Sequence, residues 1–238
     1  MYSFKSRVRY SEIAQNQYMD LSSIINYFQD CSTFQSEDLG LGVDVLKTQN
    51  RVWMVSSWQI IVNRYPKLGE NITIGTWAYD FTSMYGYRNF IIYDENNEIA
   101  AVANSIWILV DTNTGKPTKV MDENAAPYGK EEKFDMEYAD RKITIPQLLE
   151  SKDSFLVVKS NIDTNMHVNN CEYIKMAEEY LPDDFIIYQM RADYKRAAVL
   201  GDTILPFVSY QDNLCTVVLA DESQRPYVVI EFTRRKDT

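Results

Sequence analysis

Hydrophobic and polar positions along this chain switch between two periods, and the switch happens twice. Tyr2–Tyr10 alternates with the period of a strand. From Asp20 the period lengthens. Leu21, Ile24, Ile25, Phe28 and Cys31 recur at i, i+3, i+4, i+7 and i+10, which makes one apolar stripe on a helix. Asp20 stands where an N-cap belongs, and Asp38-Leu39-Gly40-Leu41-Gly42 offers glycine for a left-handed exit. The β-branched and aromatic run Arg51–Tyr65 predicts a strand, punctuated by a turn at Arg64–Glu70. Ile72–Tyr79, Gly86–Tyr93 and Ile99–Val110 follow as strands, the last two joined as a hairpin across Asp94–Glu98. Asp111–Lys116 is a further turn.

Between Met121 and Lys152 the chain becomes charged and weakly periodic, the pattern of a connector. The first pattern then begins again. Phe155–Ser160 predicts a strand. Tyr173, Ile174, Met176, Ala177, Tyr180 and Leu181 form a second helical face ended by Pro182, and Phe185–Arg196 is a long strand. Leu200-Gly201-Asp202 mirrors Leu68-Gly69-Glu70, and Thr203–Tyr210, Leu214–Ala220 and Tyr227–Thr233 complete an antiparallel set. The order is that of an internal duplication, in residues 1–128 and 153–238 with 129–152 between them. A helix lying along a curved antiparallel sheet, repeated in one chain, predicts an α+β tandem (double) hot-dog fold, each sheet wrapped around a long helix.

Composition narrows the function. A formal net charge of −10 argues against a nucleic-acid partner, which needs a basic footprint. Basic residues do cluster at Arg191, Lys195 and Arg196 and at Arg234, Arg235 and Lys236, as solvated strand ends often do. The three cysteines, Cys31, Cys171 and Cys215, are far apart and show no metal or redox spacing. The N-terminal stretch MYSFKSRVRYSE has no apolar h-region, and the longest apolar-leaning run, Ile99–Val110, is too short to span a membrane, so the expectation is a cytoplasmic protein in a reducing compartment. The acids at Asp94–Glu98 lack the spacing and glycine of a calcium loop, and a single histidine excludes HExxH zinc chemistry, so no metal is expected.

Candidate chemistry concentrates in Asn161–Asn170, which holds that histidine, His167. Asp163, Asn165 and His167 alternate and would project to one side of an extended backbone. They precede a predicted helix whose N-terminus presents free N–H groups and the positive end of its dipole. A base or nucleophile, an orienting group and an oxyanion stabiliser are what acyl transfer requires. The competing reading is structural: Asp163 and Asn165 as caps, His167 as a satisfied core side chain. Cys171 is a possible thiol nucleophile at a helix start, although a buried helix-face cysteine is the simpler description.

Three stretches together resemble the acyl-acyl carrier protein (acyl-ACP) thioesterases of plants and bacteria. They are Asp163-x-Asn165-x-His167-Val168-Asn169-Asn170 with Tyr173-Ile174; Arg64-Tyr65-Pro66-x-x-Gly69-Glu70 with Ile72, Ile74 and Trp77; and Arg88-Asn89-Phe90 through Ser105-Ile106-Trp107 to Asp111–Pro117. The resemblance implies hydrolysis of the thioester of fatty acyl-ACP without metal or cofactor. It implies Asp163 as base or nucleophile, Asn165 as orienting or oxyanion group, and His167 as assisting water or proton transfer. The implied acyl pocket uses Ile24, Ile25, Phe28, Trp53 and Met54. The partner would be acyl carrier protein bearing an acyl-phosphopantetheine, docked on Arg191, Lys195 and Arg196, with the enzyme a monomer or homodimer. One departure stands out: Ala197 and Ala198 occupy the place where many members carry Glu, followed in plants by Cys. A non-catalytic acyl-binding protein and an acyl-CoA thioesterase are the alternatives. Asp193 is a nearby carboxylate by sequence that could take over from the missing Glu, although it is not at the motif position.

Overall fold

In the computed structural model, which describes residues 1–235, the stripe after Asp20 is a helix, α1 (Leu21–Asp38). The Asp20 carboxylate accepts from the Ser23 N–H at 2.6 Å, satisfying one of the orphan donors of the first turn. Gly40, at φ +70°, lets the chain leave the helix left-handed. The chain divides into two units, 1–56 with 60–138, and 57–59 with Ala139 onward.

In the first unit, strand β1 (Tyr2–Arg7) precedes α1; a short helix α2 (Val43–Thr48), absent from the sequence expectation, follows it. Next come β2 (Arg51–Val62), β3 (Asn71–Phe81), β4 (Tyr85–Tyr93), β5 (Ile99–Asp111), β6 (Lys116–Pro117) and the single turn α3 (Asp122–Ala125). The strand order is β1-β3-β4-β5-β2, with β6 on β5. Ile24, Ile25, Phe28 and Cys31 are fully buried, and Phe28 meets Phe90 of β4 at 5.1 Å between ring centroids. Burying that stripe against the sheet is the main stabilisation available to α1. Arg88, also buried, donates to Gln35 Oε1 of α1 at 2.5 Å and to Thr76 Oγ1 of β3 at 3.1 Å. The other face of the sheet packs Trp77, Ile91 and Val102 beneath Phe134 and Met136. There Trp77 Nε1 donates to the Glu132 carbonyl at 2.8 Å, so 130–138 of the charged run is a strap rather than a free linker.

The second unit repeats the plan. Its elements are β7 (Glu150–Ser151), β8 (Phe155–Leu156), α4 (Asn170–Glu178), β9 (Ile187–Tyr194), β10 (Thr203–Gln211), β11 (Leu214–Ala220) and β12 (Pro226–Arg234). The order is β9-β12-β11-β10-β7, with β8 on β10. Here too a strap covers the far face: Ile143 packs on Val218, Ala220 and Val229. Arg191 donates to the Asp140 carbonyl at 2.6 Å. Two expectations need correction. The helix is not long: α4 has 9 residues against 18 in α1, because Leu181-Pro182 disfavours helical backbone just beyond it. The strand expected at Phe155–Ser160 keeps only two residues before a 3-10 turn at Lys159–Asn161.

Candidate active site

Asp163 and His167 are brought together by a closed turn, not by an extended strand. Ile162 and Val168 form an isolated β-bridge, and between them the chain reverses. The Asp163 N–H donates to the His167 carbonyl at 2.8 Å, and Met166, at φ +62°, donates its N–H to the Asp163 carbonyl at 3.1 Å. The Asp163 carboxylate folds into the turn: Oδ1 accepts from the Asn165 N–H at 2.8 Å and the His167 N–H at 3.2 Å. Among the described residues, Oδ2 meets only Asn165 Nδ2, at 3.5 Å. One carboxylate oxygen is therefore fixed by the backbone, and the other is held only by the Asn165 side chain. Asp163 and His167 are half-buried and Asn165 is exposed.

Asp163 and Asn165 do not cap the helix. Asn169 does, its Oδ1 accepting from the Cys171 N–H at 2.8 Å. The Asn170 carbonyl accepts from Tyr194 Oη of β9 at 3.0 Å, which pins the helix start to the sheet. The turn is anchored from the other side by Ala198, whose carbonyl accepts from the Val168 N–H at 2.9 Å and whose N–H donates to Tyr173 Oη at 2.7 Å. Burial pushes the Tyr173 phenol up to about 12, so it stays a neutral structural acceptor. Asn161, which sequence reasoning passed over, accepts from the Val158 N–H and donates to Glu172 Oε2 at 3.0 Å. Its signal was its place three residues after Val158, the spacing of a capping box.

The duplication extends to individual hydrogen bonds. Ile13–Met19 form the matching bridge in the first unit. There the Ala14 N–H donates to the Tyr18 carbonyl at 2.8 Å, Gln17 (φ +66°) donates to the Ala14 carbonyl at 3.0 Å, and the Met19 N–H donates to the Pro66 carbonyl at 2.8 Å. Asp163, Asn165, Met166, His167, Val168 and Ala198 thus stand where Ala14, Asn16, Gln17, Tyr18, Met19 and Pro66 stand. The first turn closes with neither carboxylate nor imidazole, so the fold does not require the Asp163–His167 pair.

The remaining candidates separate from the turn. Asp193 does not substitute for the missing Glu. Tyr194 points to α4, so its neighbour Asp193 projects to the opposite face of β9, where it accepts from the Ile143 N–H at 3.3 Å and pairs with Lys195. The three proposed docking cations are all engaged internally. Arg191 donates to Glu231 Oε1 at 2.8 Å, Lys195 pairs with Asp193, and Arg196 pairs with Asp221 at 2.9 Å. Arg234 meets Asp184 at 2.5 Å, while Lys236 lies outside the described residues. Ile24, Ile25 and Phe28 are enclosed in the first unit's core; Trp53 and Met54 are half-buried. Cys171 is buried, and burial pushes the Cys31 thiol up to about 12. Among the described residues no group of His, Cys, Asp or Glu is placed to hold a metal ion, and no helix is long and apolar enough to cross a membrane.

Two helix-on-sheet repeats, one of them carrying an acid–imidazole turn at its helix start, define a tandem hot-dog protein. Solved structures share this fold along nearly the whole chain. An acyl-ACP thioesterase from Bacteroides thetaiotaomicron superposes with a TM-score of 0.89 at 20% identity, covering 98% of this chain and 97% of that one. A 12:0-ACP thioesterase from Umbellularia californica gives 0.85 at 18%, covering 100% and 98%. The family models for the acyl-ACP thioesterase N-terminal and C-terminal domains match residues 1–128 and 147–224, and the chain belongs to that family. A chloroplastic acyl-[acyl-carrier-protein] hydrolase of Cuphea viscosissima is 28% identical over 208 residues, 79% of this chain and 50% of its own length. An oleoyl-acyl carrier protein thioesterase of Arabidopsis thaliana is 22% identical over 224 residues, 85% of this chain and 62% of its own. The chain spans about half the length of the first of these curated relatives.

Proposed function

We propose that this protein hydrolyses the thioester joining a fatty acyl group to the phosphopantetheine arm of acyl carrier protein. The observation that carries the reading is the Asp163–His167 turn, which sets a carboxylate and the imidazole-bearing residue on a scaffold that its own repeat builds with neither. Asp163 Oδ2 either activates a water or attacks the thioester carbon itself. The carbon–sulfur bond breaks, the sulfur leaves as the carrier's thiol with a proton delivered through His167, and the acyl group leaves as a fatty acid. If Asp163 attacks first, water hydrolyses the resulting anhydride and restores the carboxylate. Asn165 orients Asp163 or donates to the developing oxyanion. In this division of labour the second repeat performs the chemistry. The first receives the acyl chain, through the half-buried Trp53 and Met54 and the core volume set by Ile24, Ile25 and Phe28. Neither step calls for a metal or organic cofactor. Three buried thiols agree with a reducing, cytoplasmic setting.

The test is release of free thiol from acyl-ACP, across chain lengths and against the matching acyl-CoA. Faster turnover on acyl-ACP is expected. Asp163→Asn keeps an acceptor for both backbone N–H groups yet removes the charge, and should lower the rate by about 10²–10⁴-fold. Undiminished activity in that variant removes Asp163 from the mechanism.

Ala197 and Ala198 favour a second reading, an acyl-binding protein without turnover, since no carboxylate stands at those positions. It predicts acyl-ACP binding with no fatty acid released by the wild type.

A further inference from the structure

The two repeats share their turn hydrogen bonds, so residues at matching places can be compared directly. Around the Asp163 turn, Leu156, Val158, Met166, Val199 and Leu200 are 42–69% exposed. They belong together in space. The Val157 N–H donates to the Asp202 carbonyl at 2.9 Å, the Gly201 N–H to the Val157 carbonyl at 3.0 Å, and the Val168 N–H to the Ala198 carbonyl at 2.9 Å. These bonds lay the 156–158 and 198–202 segments alongside the turn. In the first repeat the same pattern runs from the Val8 N–H to the Glu70 carbonyl at 2.9 Å, the Gly69 N–H to the Val8 carbonyl at 2.9 Å, and the Met19 N–H to the Pro66 carbonyl. The five matching residues there are Arg7, Arg9, Gln17, Lys67 and Leu68, all exposed. Four of the five are polar or charged where the second repeat is aliphatic or methionine.

The backbone does not demand this apolar surface, since the first repeat builds it with arginine, lysine and glutamine. Exposed apolar side chains grouped around a site mark a contact surface, whereas single ones need no explanation. We propose that this rim is where the protein carrying the thioester docks, an inference that rests on the thioesterase reading above. The thioester arrives on an arm tethered to a protein. That protein's surface must therefore come within an arm's length of Asp163, and the rim lies alongside the turn that holds Asp163. Acyl carrier protein is strongly acidic, as this chain is at net charge −10, and the five rim side chains themselves carry no charge to repel it. The internally paired Arg191, Lys195 and Arg196 offer little free positive field to do this instead.

The experiment compares wild type with the triple variant Leu156→Gln, Val158→Gln, Leu200→Gln on two substrates, acyl-ACP and the acyl-pantetheine thioester lacking a carrier. Docking predicts a KM for acyl-ACP raised about tenfold or more, with kcat/KM for acyl-pantetheine unchanged. An unchanged KM on acyl-ACP overturns the proposal. Equal losses on both substrates overturn it too, because the rim then serves the turn rather than the carrier. If the wild type turns over neither substrate, the thioesterase reading fails, and docking is judged by calorimetric binding of holo-ACP. Weaker binding to the variant supports it; equal binding, or none to either protein, does not. A wild type that dimerises in sedimentation and a variant that does not, with carrier affinity unchanged, assigns the rim to a second copy and overturns the proposal.

Discussion

Asp163 serves the turn and, in the proposed reaction, the substrate, and the first repeat separates the two roles. There Asn16 Oδ1 accepts the Tyr18 N–H at 3.0 Å, the position at which Asp163 accepts the His167 N–H. Asn165 can take over that duty when the carboxylate is removed. Asp163→Ala should therefore cost only about 1 kcal/mol in urea unfolding, while thiol release from acyl-ACP falls by about a hundredfold or more. A large loss of stability would mean that the carboxylate is structural after all. Cys171 is the opposite case, a reactive residue type placed out of reach at 2% exposure. Cys171→Ala should retain turnover, and iodoacetamide should leave the native enzyme active. The turn was legible in sequence because its residue types are unusual together. Its backbone was not, because alternation says nothing about reversal and the Met166 left-handed conformation has no glycine to announce it. The opposite facing of Asp193 did follow from strand periodicity once Tyr194 was placed against α4.

Helix starts were readable and helix lengths were not. Asp20 and Asn169 are both side-chain caps, the first directly before its apolar stripe and the second one short step before Tyr173 and Ile174. The stripe of the second helix continues through Tyr180 and Leu181, yet the helix stops at Glu178, since Pro182 outweighs two apolar positions. Nine residues make a helix that is marginal by itself. Asn169→Ala should cost about 1 kcal/mol, and proportionally more local order than a cap deletion on α1. Amide exchange in Cys171–Lys175 should accelerate in that variant while exchange in α1 stays unchanged. Uniform acceleration across both units would show instead that α4 opens only with the whole molecule. The straps across the far sheet faces carry the polar, weakly periodic pattern of a connector. What fixes them are scattered anchors, among them the Trp77 Nε1 bond to the Glu132 carbonyl, the Phe134 N–H bond to Asn89 Oδ1, the burial of Ile143 and the Arg191 bond to the Asp140 carbonyl, and a periodicity argument sees none of these.

Across the whole molecule, the repeats also share an acid-anchored corner. In the first, Asp94 Oδ1 accepts from the Asn96 and Glu98 N–H groups and Arg64 ties Asp94 Oδ2 to Glu70; in the second, Asp221 Oδ1 accepts from Ser223 and Arg225 and Arg196 holds Oδ2. The Arg64 guanidinium holds the Glu70 carboxyl below its ordinary range, against the opposing cost of burial, with help from the Lys67 N–H. A carboxyl depressed in the folded state adds stability above its unfolded pKa and loses it as the pH falls through the lower folded value. Arg64→Met should therefore be less stable at neutral pH and show a shallower loss of urea midpoint below about pH 5. A parallel acid profile in wild type and variant would deny the pairing any stabilising role. The duplicated architecture was visible as pattern, and the hydrogen bonds that make it a duplication of corners and turns were not, since they are mostly backbone bonds with no residue signature. The Ala14–Tyr18 turn has a consequence for the lineage. A scaffold that stands without its reagents makes catalysis a detachable layer. In the proposed reaction, a single codon change at Asp163 would end turnover and leave the turn standing, as Ala14 does in the first repeat, so the step from hydrolysis to acyl binding alone would be short.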